Sequence, residues 1–144
     1  MTQKSPEQLV QTYLMEAGLK GDLSVLEDIA QPDMVDEANL VFGGPAGREG
    51  LVQHVVGFRR AVADLEIKIK RIVPGDNEIM AWWSFGGTHV RPWLGREPSG
   101  KPISGNVFSF FDLRDGKISR YRLWLNAELA DESVSFDSTT GKQP

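Results

Sequence analysis

Few residues in this chain combine proton chemistry with a setting that would change it. Asp36 and Glu37 interrupt an otherwise apolar stretch, Met34–Phe42, which reads as a strand. Alternation allows only one of the two to face inward. An inward carboxylate loses hydration, and its pKa rises toward the range useful for proton transfer. The alternative is that both lie in solvated chain, and this fits Glu37 better than Asp36. His89 follows Gly86-Gly87-Thr88 at the end of a long apolar run. It could serve as acid, base or hydrogen-bond donor toward an interior space, or it could hold the following loop by its ring nitrogens. His54 borders an apolar helical stripe beside Leu51, Val55 and Phe58, and packing or partial exposure is the expectation there.

Other chemistries lack their residues. The chain has two histidines and no cysteine, so disulfides, thiolate metal sites and thiol nucleophiles are unavailable and a zinc site is not expected. Gly43-Gly44 and Gly86-Gly87 are too short to cradle phosphate, and neither opens a helix at the required spacing. The formal net charge of −4 over 144 residues argues against nucleic acid and anionic membrane as partners. The first residues carry no apolar run of the signal-peptide kind, and no segment reaches transmembrane length. The expectation is a soluble cytoplasmic protein of one domain.

The elements that must position these residues are legible from pattern. Ser5-Pro6-Glu7-Gln8 reads as a capped helix start, followed by Leu9, Val10, Tyr13, Leu14 and Ala17 at helical spacing. Gly18 and Gly21 end that helix, and Asp22 caps a second one, Leu23–Ala30. A third, Arg48–Ala63, carries Leu51, Val55, Phe58 and Val62 on one face. Leu65–Lys70 alternates as a strand with one wet face. Three long strands follow, Ile79–Val90, Pro102–Leu113 and Lys117–Asn126, with a tight turn at Arg114-Asp115-Gly116.

Along the first of these strands Trp83, Phe85, Gly87 and His89 share one face and Trp82, Ser84, Gly86 and Thr88 the other. Val107, Ser109 and Phe111 share a face on the next, and Ser119, Tyr121, Leu123 and Leu125 on the last. Trp82 and Trp124 are costly to leave in water and suggest an interface. Residues 1–130 are expected to form the domain and 131–144 a loosely held polar tail. The order of elements predicts an α+β fold, a curved antiparallel sheet wrapped around three N-terminal helices.

With these residues in place, the chain resembles the SnoaL-like polyketide cyclase family, within the cone-shaped α+β barrel superfamily of nuclear transport factor two, limonene epoxide hydrolase and steroid isomerase. The resemblance spans Pro6 to about Asn126. It is carried by Gly87-Thr88-His89-Val90, Pro98-Ser99-Gly100-Lys101, Ser104-Gly105, Asp115-Gly116-Lys117-Ile118 and Arg122-Leu123-Trp124. It implies a homodimer of barrels, each with a deep apolar pocket, working without metal or organic cofactor on an apolar, polyketide-like small molecule.

The family's acid–base histidine and aspartate fall on Ser109 and Leu123, and neither can do that work. The resemblance therefore implies a relocated site, with Asp36 as proton acceptor or donor and His89 and Tyr121 orienting a substrate oxygen. Tyr13, Phe58, Trp83, Phe85, Ser109 and Leu123 would form the substrate-binding wall. The implied activity is a cofactor-independent cyclase or isomerase of natural-product biosynthesis. A cofactor-free hydroxylase, an epoxide-opening enzyme and a binding module without chemistry remain alternatives.

Overall fold

The computed structural model describes residues 3–140. Chain entry follows from local chemistry. The Ser5 hydroxyl accepts from the Gln8 amide at 3.2 Å while the Gln8 side chain accepts from the Ser5 amide at 2.9 Å, so two orphan donors are satisfied reciprocally. Helix α1 (Pro6–Gln11) runs without a break into a π-helical segment, Thr12–Leu19. Its wider turns are visible in the Lys20 amide donating to the Met15 carbonyl at 3.1 Å. Tyr13, Leu14 and Ala17 are buried by it.

The expected second helix is shorter than its pattern suggests. Asp22 does cap it, accepting from the Ser24 amide at 3.2 Å, but only a 3-10 turn (Leu23–Val25) and α2 (Leu26–Ile29) form. Strand β1 (Ala30–Asp36) takes over at Ala30. The strand expected to run to Phe42 stops at Asp36, whose carboxylate accepts from the Asn39 amide at 3.1 Å and starts the short helix α3 (Glu37–Val41). Helix α4 (Arg48–Ala61) carries Leu51, Val55 and Phe58 of the third apolar stripe, but it ends before the expected Ala63, and Val62 already has extended backbone in the strand that follows. Two arginines fasten it: Arg48 donates to the Ala30 carbonyl at 3.0 and 3.2 Å, and Arg59 to the Leu19 carbonyl at 2.9 Å.

The sheet is built from β2 (Val62–Gly75), β3 (Glu78–His89), β4 (Pro102–Arg114) and β5 (Lys117–Leu129), antiparallel in sequence order. Two features depart from the expected all-antiparallel sheet ending near residue 126. Strand β1 pairs with β5 in parallel, matching Val35 to Arg120 and Asp36 to Tyr121. Residues 132–137, expected in a tail, form β6 (Glu132–Asp137), which pairs antiparallel with the second half of β5 from Trp124 to Leu129. The two short strands thus share one edge of β5. Where they meet, the buried Ser138 hydroxyl accepts from the Leu123 amide at 3.0 Å, satisfying a main-chain donor that neither strand reaches.

The sheet is curved and unclosed, and its concave face is packed against the helices. A bulge between Asp112 and Leu113 shifts the start of β5, so Ile118 and Tyr121 are buried while Ser119, expected on that face, turns aside and donates to the Asp112 carbonyl at 3.1 Å. Gly87 sits where β2 crosses closely; a Cβ there would strike the Ala63 carbonyl.

Candidate active site

Between the concave face and the helices lies a cavity of about 380 Å³, within the usual range for a small-molecule site. Tyr13 enters from the π-helical segment, His54 and Phe58 from α4, Trp83 and Phe85 from β3, and Tyr121 and Leu123 from β5. The aromatic side is tightly interlocked. Phe58 meets Phe85 edge to face at 5.0 Å between ring centres and lies 5.9 Å from Trp93. Trp93 belongs to the β3–β4 connection, where it and Arg96 exchange main-chain hydrogen bonds at 2.9 and 3.0 Å around a tight turn. Leu94 and Gly95 at its tip both have positive φ, 50° and 74°. Phe42 and Phe136 pair at 5.5 Å on the rim.

Besides Asn39 and Gln53, two polar groupings interrupt this largely apolar wall. The first joins Asp36, at the end of β1, to His54 on α4. The Nδ1 of His54 lies 2.7 Å from Oδ2 of Asp36. The Asp36 side chain is 1% exposed and that of His54 24%, so the carboxylate stands behind the imidazole and the imidazole faces the cavity. With Nδ1 committed to Asp36, Nε2 is the atom His54 can offer a ligand. Burial alone would pull the His54 pKa down; the Asp36 charge and hydrogen bond outweigh it, and the net shift is upward.

The second grouping is neutral and lies on three adjacent strands. Trp83 Nε1 donates to Ser109 Oγ at 2.9 Å, and Ser109 Oγ is 2.6 Å from the Tyr121 hydroxyl. Register builds this contact: Ser109 faces Ala81 and Leu123, so its small side chain sits diagonally between the larger Trp83 and Tyr121. Tyr13 packs on Tyr121 at 5.3 Å between rings. Burial raises the pKa of both phenols, helped by the nearby Asp36 charge; at Tyr121 the Ser109 hydrogen bond only partly opposes this. Both therefore remain phenols, able to donate, at neutral pH.

Placement of the sequence-derived candidates is uneven. Tyr13, Phe58, Trp83, Phe85, Tyr121 and Leu123 line the cavity. Ser109 is buried one layer behind, bonded to Trp83 and Tyr121. Asp36 is buried but touches the space only through His54. His89 is buried away from the cavity wall, with its main chain tied to Lys101 and Gly100 and its Nε2 without a partner. Glu37 faces outward and pairs with Arg120. His54, expected to pack or be partly exposed, is the residue that sequence reasoning passed over. Its spacing carried the signal: three after Leu51 and four before Phe58, it shares their inward face. The Trp93 turn was also missed, because its inward fold depends on tertiary contacts.

A curved sheet cupped over helices, enclosing an apolar cavity with a few hydrogen-bonding groups set into it, defines the cone-shaped α+β class. Residues 8–128 match the model of the SnoaL-like polyketide cyclase family, and the chain belongs to that family. No curated protein matches the sequence significantly. Among solved structures, TsrD from Streptomyces laurentii is similar at 23% identity, covering 83% of this chain and 86% of its own, with a TM-score of 0.71. IdmH from Streptomyces antibioticus, a candidate polyketide cyclase, shares 23% identity over 87% of this chain and 93% of its own, with a TM-score of 0.66. AclR from Streptomyces galilaeus, a candidate hydroxylase, shares 21% over 84% and 88%, also with a TM-score of 0.66. At these identities the likeness establishes the shared fold. No helix among the described residues is long and apolar enough to cross a membrane.

Proposed function

We propose that this protein is a cofactor-independent cyclase or isomerase that closes a ring on a neutral, polyketide-type substrate held in the cavity. The observation that carries the proposal is the buried Asp36 carboxylate fixing Nδ1 of His54 at 2.7 Å on a largely apolar wall. Among the described residues no Lys, Arg, Asp or Glu lines the cavity, which favours an uncharged ligand because an unpaired charge is costly to desolvate.

In this reading neutral His54 is the base. Its Nε2 takes a proton from a carbon next to a ketone, and a phenol donates a hydrogen bond to the ketone oxygen as negative charge develops there. The enolate carbon attacks a second carbonyl of the same molecule, forming the ring bond. The imidazolium then returns its proton to the new alkoxide. Asp36 does not touch the substrate; it holds the ring tautomer and stabilises the imidazolium, and so is a positioning residue. The aromatic wall folds the chain so that the reacting carbons meet.

The test is incubation with aryl-substituted diketones able to close to a six-membered ring, followed by mass spectrometry. A product of unchanged mass, or lighter by one water, that disappears with His54→Gln supports the reading. Full turnover by His54→Gln sinks it. Oxygen uptake would instead indicate a hydroxylase, and unchanged ligand across the panel a binding module.

We also propose that the outer face pairs two copies of the chain. Trp82 and Trp124 are 38% and 39% exposed, and they flank Phe108 in register, at 5.9 and 5.6 Å between rings. Such a ladder is costly to leave in water. Light scattering should give a dimer that Trp82→Glu/Trp124→Glu converts to monomer; a monomeric wild type rules it out.

A further inference from the structure

The chain from Trp83 to Tyr121 has a direction, and hydrogen-bond counting fixes it. An indole N–H can only donate, whereas a serine or tyrosine hydroxyl has one proton and two acceptor sites. Trp83 Nε1 gives its proton to Ser109 Oγ at 2.9 Å. Ser109 is wholly buried, and its other side-chain partner is the Tyr121 hydroxyl at 2.6 Å. If Tyr121 donated to Ser109, the serine proton would be buried without an acceptor, which is the expensive outcome. The arrangement that satisfies every donor has Ser109 donating to Tyr121.

The Tyr121 proton is then displaced from the sheet. It points into the cavity, on the side where the Tyr13 ring packs against Tyr121 at 5.3 Å between centres. Both tyrosines line the space. The chain ends at Tyr121 as a donor, and each bond in the series strengthens the next.

We propose that the Trp83–Ser109–Tyr121 chain makes the phenol end of this cavity an obligate hydrogen-bond donor, that the cavity therefore takes ligands presenting an acceptor oxygen such as a ketone, and that Ser109 is the positioning residue that sets this polarity. This deepens the proposed function, on which it rests for the cavity being the substrate site. It does not require His54 to be a base, so a binding experiment without turnover separates the two.

Acetylnaphthalene serves as the acceptor probe and isopropylnaphthalene as its oxygen-free isostere. Wild type is expected to bind the ketone roughly fivefold more tightly, the effect of one net hydrogen bond. The bound carbonyl stretch should move to lower frequency than in hydrocarbon solvent. Ser109→Ala should reduce the preference to less than about twofold and return the carbonyl band toward its solvent position, while leaving isopropylnaphthalene affinity unchanged. Ser109→Thr, which keeps the hydroxyl, should restore both. Trp83→Phe, which removes the first donor and keeps an aromatic ring, should give an intermediate preference even if Ser109→Ala does not fold. Tyr13→Phe/Tyr121→Phe should abolish the preference. Equal weakening of both probes by Ser109→Ala, or a wild-type carbonyl band no lower than in hydrocarbon, overturns the proposal.

Discussion

The two polar groupings on the cavity wall solve the same problem by different means. Asp36 and His54 come from the end of β1 and the middle of α4, and their 2.7 Å contact depends on the docking of α4 against β1, where Arg48 bonds the Ala30 carbonyl. Trp83, Ser109 and Tyr121 come from three adjacent strands and are aligned by register alone. The first grouping is ionisable, and its partner charge tunes it. The second is neutral and carries polarity rather than charge. An ionisable pair in an apolar site suits proton transfer, whereas a fixed donor suits holding an oxygen whose charge builds up during reaction. The cavity thus offers, with the His54 and Tyr121 rings 5.9 Å apart, one group that would move a proton and another that would donate to the oxygen gaining negative charge.

Breaking the ionisable side should have the largest effect. His54→Gln is expected to lower kcat by on the order of 10²–10⁴, the usual worth of a positioned base. Asp36→Asn should lower it comparably, because the ring loses its tautomer control. The pH profile sharpens the point. With neutral His54 as base, kcat/KM rises with pH through the raised His54 pKa. Removing the Asp36 charge removes the cause of that rise, so the limb in Asp36→Asn should move to lower pH. A limb that stays put in that variant would assign it to another group.

On the neutral side, Tyr121→Phe should cost less than loss of His54, about 10²-fold in kcat, with the pH limb unmoved. Gly105→Ala probes the wall that both groupings share. Gly105 lies opposite Phe85, and a Cβ there would come within 2.6 Å of the Phe85 ring. That ring would be driven into the cavity, weakening aryl ligands several-fold while leaving the pH limb in place. Ligand titration of the two variants side by side would show whether the neutral side can be damaged independently of the charged one.

The smallest effect expected concerns stability. Because folding raises the His54 pKa, the pair's contribution is complete below the unfolded value of about 6.5 and fades as pH rises through the folded one. Wild type should therefore lose a little Tm relative to His54→Gln between about pH 6 and about pH 9. Parallel melting curves over that range would place the ionisation elsewhere.

Legibility in the sequence followed the range of the forces involved. The Ser5–Gln8 cap, the Asp22 cap, the α4 stripe and the three long strands depend on neighbours a few residues away, and they were readable. So were the faces of β3: adjacent Trp83 and Trp82 point to opposite sides, one into the cavity and one into solvent. The strand expected at Met34–Phe42 failed at a point where local chemistry competed, since Asp36 caps a helix as readily as it ends a strand. The tail failed for another reason. Ser133, Val134, Ser135 and Phe136 show too short an alternation to stand out, and β6 forms because β5 offers an open edge beside β1.

Residue types and their spacing determined, without coordinates, an α+β chain with an amphipathic helix, a long antiparallel meander and a small set of residues able to handle protons. Only the folded arrangement decided that His54 rather than His89 faces the cavity, that Asp36 bonds to its Nδ1 from behind, and that Ser109 links an indole to a phenol. Those relations join residues 18, 26 and 12 positions apart in the chain. Contacts at that range are set by helix docking and strand register, which no local preference encodes.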